Sequence, residues 1–259
     1  MSEVLIFGCL SGTEPMENMH HTSLAVRVND NLYVFDAGEG CGREAHLMGA
    51  NLLNMKAIFI SHPHIDHIGG LANLIWVPRK LTRISDAKHI TGNVDIYSPD
   101  VKVVDSAMGL LCCDNPNKYA DEAFNVTAHR EGLGEIYKNE DITVTTFVSN
   151  HIPFAKDGLP NAYTFRIETE GKRIVFSGDV ATVWDCADAI GDHCDLFLME
   201  TGHHQIPDIC EFVNKHNIDK LVLTHHGRKI INDRPGAYEQ LKACKVPSEI
   251  AVDRMLIKL

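Results

Sequence analysis

An α+β fold, built as a four-layer αββα sandwich of two mixed sheets, is what the sequence predicts, and three observations predict it. Short apolar runs of strand length alternate with segments of helical periodicity along all 259 residues. The later runs are almost wholly apolar and lie between helical segments, which suits strands buried on both faces. Strand-rich and helix-flanked stretches occur once in each half of the chain, which implies two sheets packed together with helices outside. Periodicity alone supports only α/β or α+β; the repetition is what points to two sheets. No Pro-, Gly- or Ser-rich linker interrupts the pattern, so residues 1–259 read as a single domain.

The elements follow in order. Strands are expected at Val4–Phe7, Leu24–Val28 and Tyr33–Asp36. Asn29-Asp30-Asn31 is turn chemistry and makes the second and third a hairpin. A helix at Cys41–Met48 precedes a strand at Ala57–Ser61. A second helix, Leu71–Arg79, carries the core stripe Leu71, Leu74 and Ile75. Strand Asp95–Ser98 and helix Lys102–Leu111 close the first half. The second half reads as strands Thr143–Val148, Asn161–Glu168 and Arg173–Ser177, helix Val180–Ala189, strand Leu196–Glu200, helix Pro207–His216, strand Leu221–Thr224 and helix Pro235–Ala243.

Composition narrows the function. Apolar residues make up 44% and charged residues 23%, as in ordinary globular proteins. The net charge of −11 argues against a large polyanionic partner, because nucleic-acid binding is driven by phosphate neutralisation. None of the eight cysteines forms a C-x-x-C pair, which speaks against a Cys₄ zinc site. They read as reduced thiols in a cytoplasmic protein. The start, Met-Ser-Glu-Val-Leu-Ile-Phe-Gly, lacks the basic and apolar regions of a signal peptide. No apolar run reaches about 18 residues, so no membrane span is expected.

Chemistry gathers where apolar runs end. Ile58-Phe59-Ile60 leads into Ser61-His62-Pro63-His64-Ile65-Asp66-His67. Phe147-Val148 leads into Ser149-Asn150-His151, and Ile174-Val175-Phe176 into Ser177-Gly178-Asp179. Phe197-Leu198-Met199 leads into Glu200-Thr201-Gly202-His203-His204, and Leu221-Val222-Leu223 into Thr224-His225-His226. Ligand sites in α/β sheets lie outside the carboxyl ends of strands. Neutral imidazole and carboxylate are ligands for zinc and similar divalent ions. The cluster holds too many for one tetrahedral ion, so it points to two ions about 3.5–4 Å apart. Asp36 is expected behind them, accepting hydrogen bonds from the His loop and orienting an imidazole. His20 and His21 are candidates for the cleft mouth, and Lys80–Glu140 is expected to wall the cleft.

His62, His64, Asp66 and His67, with Gly69-Gly70 after them, resemble the H-x-H-x-D-H hallmark of the metallo-β-lactamase superfamily. The resemblance implies that His62, His64 and His151 hold one metal, that Asp66, His67 and His225 hold the other, and that Asp179 bridges both. Gly8 to Pro15, His21-Thr22-Ser23, Phe35-Asp36-Ala37-Gly38-Glu39-Gly40, Asp95-Ile96-Tyr97-Ser98-Pro99 and Glu200-Thr201 are similar to the ribonuclease Z branch. His203, 22 residues before His225, is similar to that branch's phosphate-contacting His. There are departures. Only 27 residues separate His151 from Asp179, with no Gly/Pro-rich substrate-gripping arm. Ala37-Gly38 replaces Cys-Gly, Gly227-Arg228-Lys229 replaces Ser-Arg-Tyr, and Glu200 and His203 stand closer together than in the branch.

The expected activity is metal-dependent hydrolysis by a hydroxide bound between two divalent ions, zinc first, with Mn²⁺ or Fe²⁺ as alternatives. Asp66 is expected at the catalytic ions. His203 or His204 would protonate the leaving oxygen, oriented by Glu200. The expected substrate is a small-molecule or nucleotide phosphodiester; tRNA is a second candidate from the resemblance, weakened by the missing arm. The resemblance also suggests a homodimer. An ester, thioester or lactone hydrolase, a non-haem iron oxidoreductase and a binding module that holds metal without turnover are the competing readings. The intact ligand set argues against the binding module. The iron relatives place Glu where this chain has His64, which argues against the oxidoreductase.

Overall fold

The computed structural model describes residues 2–84, 93–115, 120–121 and 124–259. Two mixed sheets lie face to face. The first has eight strands in the order β15-β1-β2-β3-β4-β5-β7-β6, and the second has seven in the order β14-β13-β12-β11-β10-β9-β8.

In the first sheet, β1 (Glu3–Gly8), β2 (Ser23–Val28) and β3 (Asn31–Phe35) form an antiparallel meander. Beside it, β4 (Met55–Phe59), β5 (Asn93–Ser98) and β7 (Phe124–Arg130) run parallel, with β6 (Ala120–Asp121) at one edge and β15 (Met255–Lys258) at the other. The second sheet starts with the antiparallel strands β8 (Gly134–Lys138), β9 (Thr143–Val148), β10 (Tyr163–Thr169) and β11 (Lys172–Phe176). It continues parallel through β12 (Leu196–Glu200), β13 (Leu221–Thr224) and β14 (Ser248–Ile250).

Strand alternation explains the layers. One face of each sheet meets the other in a shared core: Val4, Ile6, Val26, Phe35 and Phe59 against Val144, Phe165, Ile167, Phe176 and Leu198. The opposite face of the first sheet carries Leu5, Phe7, Val34 and Ile58 under α1 (Cys41–Leu47), α3 (Leu71–Ile84) and α4 (Lys102–Leu111). That of the second carries Val175, Phe197 and Leu223 under α5 (Ala187–Ile190), α6 (Ile206–Val213), α7 (Arg228–Asn232) and α8 (Arg234–Leu241). Two helix layers and two sheet layers match the predicted sandwich.

Several elements differ from expectation. Strands β6, β7, β8, β14 and β15 were not expected. Strand β8 is a half-exposed edge strand, and edge strands are less apolar than buried ones. The helix expected at Val180–Ala189 starts later, as a 3₁₀ turn at Val183–Cys186 that runs into α5. Thr182 and Asp185 cap that turn, which leaves Asp179 and Val180 free to face the cluster. The cysteines are not all reduced: Cys210 in α6 and Cys244 beyond α8 form a disulfide, although 34 residues apart. Packing of α6 on α8 brings their Cα atoms to 4.7 Å, and no local spacing reports that. No helix among the described residues is long and apolar enough to cross a membrane.

Asp141 clasps the two sheets together. It precedes β9 and accepts hydrogen bonds from Asn29 Nδ2 (2.9 Å), Asn31 Nδ2 (2.6 Å) and Tyr33 Oη (2.7 Å) of the β2–β3 hairpin. Burial pushes its pKa up, but the three donors and Lys56 outweigh that and hold the carboxyl below its usual range. Such a group stabilises the fold above its unfolded pKa near 4 and loses that contribution as pH falls through its lower folded pKa. Asp141→Ala is expected to cost about 2–4 kcal/mol in urea unfolding at pH 7, and less below about pH 4. An equal cost at both pH values would rule out the charged clasp.

Candidate metal centre

Strands β9, β11, β12 and β13 point the same way, so their carboxyl ends share one edge of the second sheet. His151, Asp179, Glu200 and His225 lie at or just beyond these ends. The facing sheet sends in the turn after β4, which carries His62 and His64, and the short helix α2 (Ile65–Ile68), which carries Asp66 and His67.

The seven expected ligands converge. His62 Nε2 lies 3.0 Å from His64 Nδ1, and His151 Nε2 lies 3.3 Å from the same atom. Asp179 Oδ2 is 3.6 Å from both His62 Nε2 and His151 Nε2. On the other side, His225 Nε2 is 3.2 Å from His67 Nε2 and 3.1 Å from Asp66 Oδ2. Asp179 Oδ1 is 3.3 Å from both of those imidazole nitrogens. The carboxylate of Asp179 thus presents one oxygen to each group of donors.

This donor set fits cations. Asp179 Oδ1 is buried and has no hydrogen-bond partner. His67 gives Nδ1 to Asp36 Oδ2 at 2.7 Å, which leaves the Nε2 lone pair facing His225 and the carboxylates. Ser61 Oγ lies 3.1 Å from His62 Nδ1, so that ring also turns Nε2 inward. Donor atoms crowded together in this way repel one another unless protons or a metal cation lie among them. His62, His64, His151 and Asp179 could hold one ion, and Asp66, His67 and His225 another. Burial pushes the Asp179 carboxyl up, but His225, His67 and His62 outweigh it and keep it charged.

The supporting residues are held tightly. Asp36 is fully buried and accepts from Ser61 N at 2.6 Å and Ser61 Oγ at 2.8 Å, as well as from His67. Its φ of 58° and the 49° of His225 lie in the left-handed region, a strain that functional sites tolerate. Gly202 is required by close approach: a Cβ there would lie 2.7 Å from His225 Nδ1.

Glu200 is fully buried and accepts from the backbone N–H of His203 at 3.0 Å. Its Oε1 also meets His203 Nδ1 at 3.0 Å, and Oε2 lies 3.6 Å from His225 Nδ1. Burial pushes Glu200 up, but its bonds to His203, His204 and His225 hold it well below the usual range. The two candidate donors part here. His203 is 44% exposed and lines the cleft, with its ring centroid 4.8 Å from that of His151 and 5.7 Å from that of His225. His204 is turned into the wall, where Nε2 donates to Val180 O at 3.0 Å.

The cleft encloses about 380 Å³. Its other wall is Ser11, Gly12 and Thr13, which the reading of candidate site residues had not singled out. The Gly-Thr step just past the first strand was the available signal. Two expectations are not met among the described residues. His20 bonds Asp253 and His21 bonds Thr13 O, so neither lines the cleft. No described residue of Lys80–Glu140 lines it either; residues 85–92, 116–119 and 122–123 lie outside the described ones.

The fold is that of metallo-β-lactamase fold proteins, and the chain is ribonuclease Z-like in sequence. More narrowly, the chain belongs to the family described as Anti-Pycsar protein Apyc1, whose model matches residues 4–243. A ribonuclease Z of Methanothermobacter thermautotrophicus is 30% identical over 154 residues, 60% of this chain and 46% of that protein. The chain therefore spans about half the length of that relative. A ribonuclease Z of Mycobacterium bovis is 22% identical over 249 residues, covering 85% of this chain and 84% of that one. Among solved structures, the metallo-beta-lactamase fold protein YhfI of Bacillus subtilis superimposes with TM-score 0.72 at 16% identity, covering 100% of both chains. Human tRNase Z, short form, gives 0.69 at 18% identity, covering 99% of this chain and 98% of that one.

Proposed function

We propose that this protein is a metal-dependent phosphodiesterase with a small substrate, a nucleotide diester of cleft size. The observation that carries the reading is Asp179, whose two oxygens face two separate groups of imidazoles and carboxylate. His62, His64, His151 and Asp179 would hold one divalent ion, and Asp66, His67, His225 and Asp179 a second, zinc first, with manganese or iron as alternatives. Two such ions supply an activated water at neutral pH and neutralise phosphate oxygens.

The chain's own residues do the rest. Asp36 fixes the His67 ring, and Glu200 stands behind His225. Glu200 also holds His203 at the cleft wall with Nδ1 engaged, which leaves Nε2 to give a proton to the departing oxygen. Relatives named ribonuclease Z and a neighbour described as a diphosphatase of the PhnP family support phosphate-ester chemistry. The short link from His151 to β10, the net charge of −11 and the 380 Å³ cleft favour a small diester over tRNA. A homodimer in the cytoplasm belongs to the same reading.

The test is metal analysis of the purified protein, joined to a screen of an aryl phosphodiester, cyclic nucleotides, a pre-tRNA and an aryl acetate. Two divalent ions per chain and turnover of the small diesters are expected. Turnover of the acetate alone would replace the reading with a carboxylic-ester hydrolase, and iron with oxygen consumption would replace it with an oxidoreductase.

A further inference from the structure

We propose that Gly12 is a positioning residue for the second ion: its bare Cα, held against the Asp66 carboxylate by the turn Ser11–Thr13, leaves that carboxylate free to face His67 and His225. This rests on the two-ion reading of the centre. It gives a reason for glycine at the point where the cleft wall meets the donors.

Asp66 Oδ2 is the oxygen turned toward the second group of donors, 3.1 Å from His225 Nε2 and 3.5 Å from His67 Nε2. A Cβ on Gly12 would lie 3.1 Å from that same oxygen, 3.2 Å from Asp66 Cγ and 3.4 Å from Oδ1. Non-bonded heavy atoms pack best at about 3.5–4.0 Å when carbon meets carbon, so a side chain here would press on the whole carboxylate. It would also occupy space beside the oxygen that an ion needs. Either the wall or the carboxylate would have to give.

The wall is fastened on both sides. Ser11 N and Oγ donate to His226 O at 3.1 and 2.9 Å, which ties the turn to the residue after His225. On the other side His21 Nε2 lies 3.1 Å from Thr13 O, Leu10 N donates to His20 O at 2.9 Å, and Thr22 Oγ1 donates to Leu10 O at 3.1 Å. Ser11 also abuts Gly202, where an added Cβ would lie 3.2 Å from Ser11 Cβ. The turn cannot retreat from Asp66 without breaking these bonds, so the carboxylate is what yields. Turning it takes Oδ2 away from His225 and His67.

The effect is confined to one donor group. The three atoms nearest a Cβ on Gly12 all belong to Asp66, which is no part of the His62, His64, His151 and Asp179 group. Nor does the backbone require glycine here: Gly12 is exposed and its φ lies outside the left-handed region, so alanine strains nothing. A substitution therefore tests the contact with Asp66 and leaves the fold alone.

The experiment titrates metal-free wild type, Gly12→Ala and Gly12→Val with zinc ion alone, by calorimetry, and follows the thermal unfolding of each. Wild type should take up two ions. Gly12→Ala should keep the affinity of one and weaken the other about 10–100-fold, the range for losing a group that orients a metal ligand. Gly12→Val should weaken that same ion further, and the metal-free proteins should unfold at the same temperature. Two ions at wild-type affinity, equal weakening of both, or variants that no longer fold would each overturn the role of Gly12 and leave the two-ion centre standing. A wild type that binds a single ion overturns the two-ion centre, and the role of Gly12 with it.

Discussion

Asp66→Ala is expected to yield a folded protein with one divalent ion per chain in place of two, and a turnover lower by on the order of 10³-fold or more. Asp66 is the one carboxylate that belongs to the His67 and His225 group alone; Asp179 is shared. Removing it leaves two imidazoles and one oxygen of a shared carboxylate, a set without its own negative charge that should bind the second ion much more weakly. The other group, His62, His64, His151 and Asp179, keeps every donor and should keep its ion. Fold and site are separable here, because Asp66 is on the four-residue helix α2, outside the strands, with its carboxylate directed at His225 and His67. Metal content by mass spectrometry, thermal unfolding and kcat are the three readouts. A variant with two ions and full rate would remove the dinuclear centre from the account.

The same division between local and distant order decides how much was legible in the sequence. His62, His64, Asp66 and His67 fall within six positions, so their spacing alone announces a ligand cluster. His151, Asp179 and His225 are far apart, and only their place after an apolar strand suggests that they meet. That inference works because strands β9, β11 and β13 point the same way, so their ends share one edge. Asp36 was legible for a similar reason: it ends one strand beside the strand that feeds the His loop.

What was not legible depends on side-chain direction or tertiary packing. His203 and His204 are adjacent and identical in type, and only the turn after β12 sends one to the cleft and the other to Val180 O. Strand β7 reads Phe-Asn-Val-Thr-Ala-His-Arg, too polar to stand out, and it is a strand because β5 pairs with it along its length. The Cys210–Cys244 bond needs α6 against α8, which no pattern of cysteines reports. The Ser11–Thr13 wall is brought to the centre by Ser11 N and Oγ, which bond His226 O at 3.1 and 2.9 Å across more than two hundred residues.

His203→Ala is expected to lower kcat by about 10²–10⁴-fold on a substrate with a poor leaving group, and far less on a p-nitrophenyl diester. The hydrogen bond that His203 Nδ1 donates to Glu200 raises the pKa of His203 above its ordinary value, and burial only partly opposes it. The protonated form therefore persists to higher pH than in a free imidazole and is lost as pH rises through the raised pKa, which predicts a basic limb in the kcat profile. Glu200→Gln removes the first cause of the shift and should move that limb to lower pH. His204→Ala should change stability more than rate, since its Nε2 is spent on Val180 O. A p-nitrophenolate leaves without a proton, so it separates proton donation from loss of structure or of metal. If His203→Ala slows both substrates alike, the imidazole shapes the site and the leaving oxygen takes its proton from elsewhere.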